Sequence, residues 1–351
     1  MELIQRMMAL TGAAGVSGEE NQAGALLAGW CREMKLGEVT TDPFHNVFCT
    51  VRPSAPGEPH LLLQAHLDEI GFMVTDVDED GLLQVIPCGG LDRRLLLASP
   101  VVVWASGEES RPIPGVVCYC PPVLSGEAGA LPKADEMKID IGFSREQAQR
   151  LVMPGDRVTA DIQPAELENG LITAKSLDNR CGCVAVLRAG ELLAQERDRL
   201  RCGVTLLFGA MEEVGSQGTQ VGAYALAPTH AIAVDVSFAA THDMSGEKYI
   251  GKLEQGPMLG YSPILSREMY RDLETLSEQE GISIQKEIMG GGTGTDADSI
   301  AVSRCGVKTG LLSIPQRYMH TPVEVVSPAD VEDTARLMAA YGRYLSEKGE
   351  A

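Results

Sequence analysis

The sequence predicts an α/β fold with a small β-rich module set into its middle, and three observations predict it. Apolar runs such as His60–His66 (HLLLQAH) are nearly continuous, as in strands buried on both faces of a sheet. On both sides of the chain's centre such runs alternate with stretches of helical spacing. Between Ile70 and about Asp161 the alternation stops, and short β-type segments punctuated by prolines and turn residues replace it.

Taken in order, MELIQRMMALTG reads as an amphipathic helix. Ser17 and Glu20 in VSGEE form a capping-box pattern for a second helix after the turn at Gly15. HLLLQAH is the first buried strand. The module then carries IGFMVTDV, the turn DEDG, LLQVIP, PVVVW, IPGVVCY and KIDIG as strands, with one helix, Ser144–Leu151, capped by Ser144 and Gln147. After the Asn169-Gly170 turn, LITAKS is a strand, Asn179–Gln195 a helix, GVTLLFGA a strand and Gln217–Leu226 a helix. AIAVDVS, a helix over Arg267–Gln279, ISIQKEI and KTGLLSI follow, and the last long helix opens at the capping pattern Ser327 to Asp330. One domain is therefore discontinuous, 1–69 with 164–351, around an inserted domain over 70–163.

Composition narrows the function. The 351 residues hold 49 acidic and 29 basic side chains, a formal charge of −20. A surface so poor in Lys and Arg does not suit nucleic acid or an anionic membrane. No apolar run reaches the roughly 18 residues of a membrane span, since LLLASPVVVWA is cut by Ser99 and Pro100. The N-terminus lacks the basic-then-apolar pattern of a secretory signal, so a cytoplasmic protein with reduced thiols is expected. Of its nine cysteines, Cys118 with Cys120 and Cys181 with Cys183 are spaced by one residue, which favours small buried hydrophobes over a structural metal site.

In an open α/β sheet, ligands bind beyond the carboxyl ends of strands, so polar residues that end apolar runs are the candidate site. Five places qualify: His66 and Asp68 after HLLLQA, Asp178 after LITAKS, Glu212 and Glu213 after GVTLLFGAM, Asp235 within AIAVDVS, and His320 after LLSIPQRYM. Imidazoles and carboxylates make a ligand set suited to zinc, cobalt or manganese. Burying Asp178, Glu213 and Asp235 without cations is costly. Two divalent ions would balance those three carboxylates and a bridging hydroxide, with His66 and His320 neutral. Glu212 is then a surplus carboxylate, placed to act as general base. Asp68 lies two residues from His66 on the same strand face, where a carboxylate can accept the imidazole's second N–H.

AHLDEIGFMV, KSLDNRCG, MEEVGSQG, AIAVDVS, KLEQGPML, TGTDADSI and IPQRYMHTPVEVV resemble, in order and spacing, the signatures of the tetrahedral (TET-type) metallo-aminopeptidases of the glutamyl aminopeptidase family. The resemblance covers nearly the whole chain. It implies a zinc-peptidase-like mixed-sheet catalytic domain with a PDZ-like or barrel-like dimerisation insert, and dimers that build a hollow dodecamer. It also implies a co-catalytic two-metal exopeptidase acting on peptides with a free N-terminus. His66 and Asp235 would hold one ion, Glu213 and His320 the other, and Asp178 would bridge them. Glu212 matches the catalytic base and Asp68 the carboxylate behind His66. Gly290–Ala297 (GGGTGTDA) matches a wall of the substrate pocket.

Rival readings have specific weaknesses. GGGTGTDA lacks the Lys-Ser/Thr of a phosphate loop, and as a plain turn it would use Asp296 to cap the next helix. Ser176 and Ser216 lie near strand ends, but no GxSxG elbow is present. An endoglucanase-type glycoside hydrolase could use paired carboxylates, yet two Trp residues offer little surface for stacking a glucan. A catalytically silent oligomeric scaffold would be favoured by a missing ligand, and none is missing. His45, His60, His230 and His242 are read as surface or capping residues. The preferred N-terminal residue, acidic, neutral or basic, is left open.

Overall fold

The computed structural model describes residues 2–120, 133, 136–241 and 250–349. Its first helices are α1 (Leu3–Gly12) and α2 (Asn21–Glu33), followed by β1 (Glu38–Thr41), β2 (Val47–Arg52) and β3 (His60–His66). The insert supplies β4 (Gly71–Val77), β5 (Leu83–Cys88), β6 (Pro100–Ala105), β7 (Arg111–Val117), β8 (Lys138–Asp140), α3 (Arg145–Leu151) and β9 (Arg157–Ala160). The chain returns through β10 (Ala165–Glu166), β11 (Ile172–Ala174), α4 (Leu177–Ala194), β12 (Gly203–Gly209), α5 (Gln217–Leu226) and β13 (His230–Phe238). It ends with β14 (Met258–Tyr261), α6 (Arg267–Glu280), β15 (Gln285–Ile288), α7 (Asp296–Ala301), β16 (Lys308–Arg317), β17 (Glu324–Val326) and α8 (Pro328–Lys348).

The larger sheet is mixed and runs β1-β2-β12-β3-β13-β16-β17-β11-β10, with β14 joined to β16 and β15. Its centre, β12, β3, β13 and β16, is parallel. That explains the unbroken apolar runs: Leu61, Leu63 and Ala65 pack into one hydrophobic layer and Leu62 into the layer on the opposite face. Parallel strands at the centre also bring their carboxyl ends to one edge, where the polar residues that end them meet. The smaller unit is a closed barrel, β4-β5-β8-β7-β6-β9, so the insert is barrel-like rather than PDZ-like. Its core is built from alternating residues such as Val74, Leu83, Val85, Val103, Ile113 and Val158.

Local patterns were reassigned by the tertiary structure in three places. Ser17 does not cap α2; its hydroxyl donates to Asp68 Oδ2 at 2.7 Å, and Glu20 accepts from the Gly18 and Met211 amides instead. Asp330 likewise turns away from the start of α8, and its carboxylate accepts from the amides of Glu254 and Gly256, each at 2.8 Å. The cap of α7 is Thr295, whose hydroxyl accepts from the Ala297 amide, while Asp296 is buried and bonded by Gln64 and Thr219. The Ser144–Gln147 capping box at α3 forms as expected.

One buried cation ties the N-terminal helix to the sheet. Arg180 on α4 is fully buried and donates to the carbonyls of Leu67, Leu10 and Ala13 and to Glu69, which also accepts from Lys175 at 2.6 Å. Truncating it leaves buried carbonyls without donors. Arg180→Met should therefore lower the unfolding free energy by about 3–5 kcal/mol in urea titration; a change under about 1 kcal/mol would show that water replaces the guanidinium.

Candidate metal centre

Five separate segments deliver the candidate ligands to one edge of the larger sheet. His66 ends β3, Asp235 lies near the end of β13, and Asp178 sits where the chain leaves the sheet for α4, before helical dihedrals begin. Glu212 and Glu213 follow β12, and His320 follows β16. His320, Met211 and Ser176 all have positive φ, at 60°, 59° and 52°. Non-glycine residues rarely hold that conformation without support from their surroundings. For His320 the support is visible: its amide donates to Glu324 Oε1 at 3.0 Å.

All seven predicted residues converge. The two oxygens of Asp178 face different imidazoles: Oδ1 lies 3.1 Å from His66 Nε2, and Oδ2 lies 3.3 Å from His320 Nε2. Asp235 Oδ1 is 3.8 Å from His66 Nε2, and Glu213 Oε1 is 3.5 Å from His320 Nε2. Three overlapping groups of donor atoms result, each within 4.8 Å of one another: His66, Asp178 and Asp235; Asp178, Glu213 and His320; and His66, Glu212 and Glu213.

Asp68 stands behind this cluster. Its Oδ1 is 3.3 Å from His66 Nδ1, the nitrogen that faces away from Asp178, and accepts from the Glu212 amide at 3.0 Å, while its Oδ2 accepts from the Glu213 amide at 3.2 Å. One carboxylate thus orients the imidazole of β3 and the backbone after β12. Glu324 does the same on the other side, accepting from the amides of both Asp178 and His320 at 3.0 Å. Sequence reasoning missed Glu324 as a site residue; its only signal was its place in the HTPVEVV string.

The electrostatics test whether cations fit here. Burial first, then the charge of Asp178, pushes Glu213 up to about 8. Burial raises Asp235 well above the usual carboxylate range and Glu212 to about 7. Hydrogen bonding to Asp178 lifts His320 to about 9. Complete burial opposes a charge on His66, but its bonds to Asp178 and Asp68 outweigh that and raise it. Burial alone would raise Asp178, but both imidazoles hold it low. The cluster thus has more buried anionic groups than the two imidazoles can neutralise. A donor set of carboxylate oxygens and imidazole nitrogens, short of positive charge, is what zinc, cobalt or manganese would satisfy.

The remaining predictions fall elsewhere. His60 Nε2 bonds Thr205, His230 Nδ1 bonds Thr229, and His45 lies beside Glu20; His242 lies outside the described residues. Cys181 and Cys183 are buried, and burial raises both thiols, Cys183 to about 12, so neither is poised as a thiolate. Thr293, Gly294 and Thr295 line the same cavity as the ligands. No helix among the described residues is long and apolar enough to cross a membrane.

A mixed α/β sheet that gathers such ligand sets at its strand ends, with a β-barrel inserted beside them, has the architecture of a metal-dependent hydrolase. The chain belongs to the M42 glutamyl aminopeptidase family, whose sequence profile matches residues 46–337, and it is a metal-dependent aminopeptidase. It is 32% identical over 311 residues to the lysyl aminopeptidase of Pyrococcus furiosus, covering 86% of each chain. Among solved structures it resembles aminopeptidase APDkam598 from Desulfurococcus kamchatkensis, with a TM-score of 0.88 and 31% identity over 98% of this chain and 97% of that one. It also resembles the Pyrococcus horikoshii TET1 peptidase, described as assembling into a tetrahedron or a large octahedral shell, with a TM-score of 0.84 and 30% identity over 97% of this chain and 99% of that one.

Proposed function

We propose that the chain is a co-catalytic two-metal aminopeptidase that removes the N-terminal residue from peptides. The observation that carries this reading is Asp178, whose two oxygens each face a different imidazole, as a bridging carboxylate must. His66 and Asp235 would hold one divalent ion, Glu213 and His320 the other, with zinc or cobalt preferred and manganese compatible. What such ions supply when bound is Lewis acidity toward the scissile carbonyl and toward water. Glu212 takes the proton from the attacking water and delivers it to the departing amine, a task suited to a carboxyl pushed up to about 7. Asp68 keeps the proton of His66 on Nδ1, leaving Nε2 free to ligate. The peptide's free α-amine is drawn to the acidic centre.

The domain limits we assign are 1–69 with 164–351 for catalysis and 70–163 for the barrel, which we take as the dimerisation domain. Dimers would assemble into a tetrahedral dodecamer, and the protein would work in the cytoplasm. Light scattering of the metal-loaded protein should show about twelve chains, and a monomer would overturn the assembly.

Chelation separates this reading from a carboxylate-only glycosidase. EDTA should abolish hydrolysis of aminoacyl anilides, and zinc or cobalt should restore it. Persistent glucan hydrolysis in chelator would favour the endoglucanase reading. No bound divalent ion and no anilide hydrolysis would favour a silent scaffold.

A further inference from the structure

The cavity that contains the ligands has a volume of about 480 Å³ and continues past them to the loop after β15. Its far wall carries a carboxylate unused by the mechanism above. Glu287 on β15 accepts from Ser237 Oγ through Oε1 at 2.5 Å and from Ser313 Oγ through Oε2 at 2.6 Å. Both donors are neutral. Lys286 turns to the other side of the strand and pairs with Glu274, and among the described residues no lysine or arginine lines the cavity or pairs with Glu287.

The strand geometry sets the distance from this carboxylate to the metal centre. Asp235 and Ser237 lie two residues apart on β13 and share a face, so their side chains leave the sheet about 6.6 Å apart. Asp235 is also the register partner of Ser313 on β16. The two serines therefore hold Glu287 about one side-chain length from Asp235. Phe238, Met289 and Met319 line the same space, and Phe238 is 62% exposed there. The cavity is thus a passage in which these apolar side chains accompany carboxylates from the metal centre and from β15.

We infer that this cavity selects a basic N-terminal residue, lysine or arginine, and that Glu287 is the residue that selects it. The inference rests on the aminopeptidase reading, and it names the substrate class of that site. With the α-amine at the acidic centre, the aliphatic stem of lysine lies along Phe238, Met289 and Met319 and its ammonium reaches Glu287. A glutamyl or aspartyl side chain would meet like charge. A neutral straight chain fits the passage but leaves Glu287 with its serines alone.

The test compares lysyl, arginyl, norleucyl and glutamyl p-nitroanilides on the metal-loaded enzyme. Norleucine matches the lysine stem without its charge. The expected kcat/KM for lysyl exceeds that for norleucyl by at least about tenfold, the effect of one charge-assisted contact, and glutamyl is the slowest. Glu287→Gln should collapse the lysyl-to-norleucyl ratio toward one, mainly through the KM for the lysyl substrate. Equal lysyl and norleucyl values in the unaltered enzyme would overturn the inference, whether or not the variant folds. So would an unchanged ratio in Glu287→Gln. Cleavage of no anilide at all would overturn the aminopeptidase reading beneath it, a result distinct from cleavage without preference.

Discussion

Glu212→Gln should keep the fold and the bound metal and lower kcat by about 10²–10⁴, the usual contribution of a general base. The amide matches the carboxylate in shape but cannot take a proton from water. The backbone at this point is held independently of the side chain, because the amides of Glu212 and Glu213 both donate to Asp68. Chemistry is therefore expected to fail without loss of position. Burial raises Glu212 to about 7, so activity in the unaltered enzyme should fall as pH drops and the carboxyl becomes protonated. Protonation of the neighbouring Glu213 acts in the same direction, so the variant should flatten the acid limb rather than remove it. Near-normal turnover, with metal content confirmed by elemental analysis, would remove Glu212 from the role of base.

Asp178→Asn should have an equally large effect with a different signature. The carboxylate is shared between two ligand groups, one with His66 and Asp235 and one with Glu213 and His320. Asparagine supplies a single neutral oxygen. Metal content should fall from about two ions per chain to one or none, and activity should drop by about a thousandfold or more, as expected when several kcal/mol of charge stabilisation is lost. The two variants separate the roles: the Glu212→Gln protein should be metal-replete and inert, the Asp178→Asn protein metal-poor and inert. Full metallation and activity after Asp178→Asn would overturn the bridging assignment.

Much of the centre was legible in the sequence because the central strands are parallel and buried on both faces. A strand such as HLLLQAH has no solvent-exposed side, so a charged residue at its end marks a place where chain leaves the core with work to do. What stayed illegible depended on distant partners. Ser17 and Glu20 have the types and spacing of a capping box, yet Ser17 serves Asp68 and Glu20 serves Met211. Asp330 was claimed by the loop at 254–256 and Asp296 by Gln64 and Thr219. Glu324 anchors Asp178 from 146 positions away. β1 escaped notice because Glu38–Thr41 is short, polar and largely exposed. Local pattern rules describe a residue's neighbours in sequence, and these side chains were committed elsewhere.

The order of strands in the larger sheet has a consequence for biosynthesis. β3 pairs in parallel with β12 and β13, whose residues are made more than a hundred positions later, and β16 closes the centre only near the end of the chain. Contacts of such long separation form late, whereas the barrel closes from residues within one compact stretch. His320, on the last segment of the site, follows every other proposed ligand out of the ribosome. A growing chain can therefore complete its barrel while still lacking His320, half of one proposed ligand pair. On the ligand assignment proposed above, the nascent chain would lack a complete metal centre until nearly all of it had been translated.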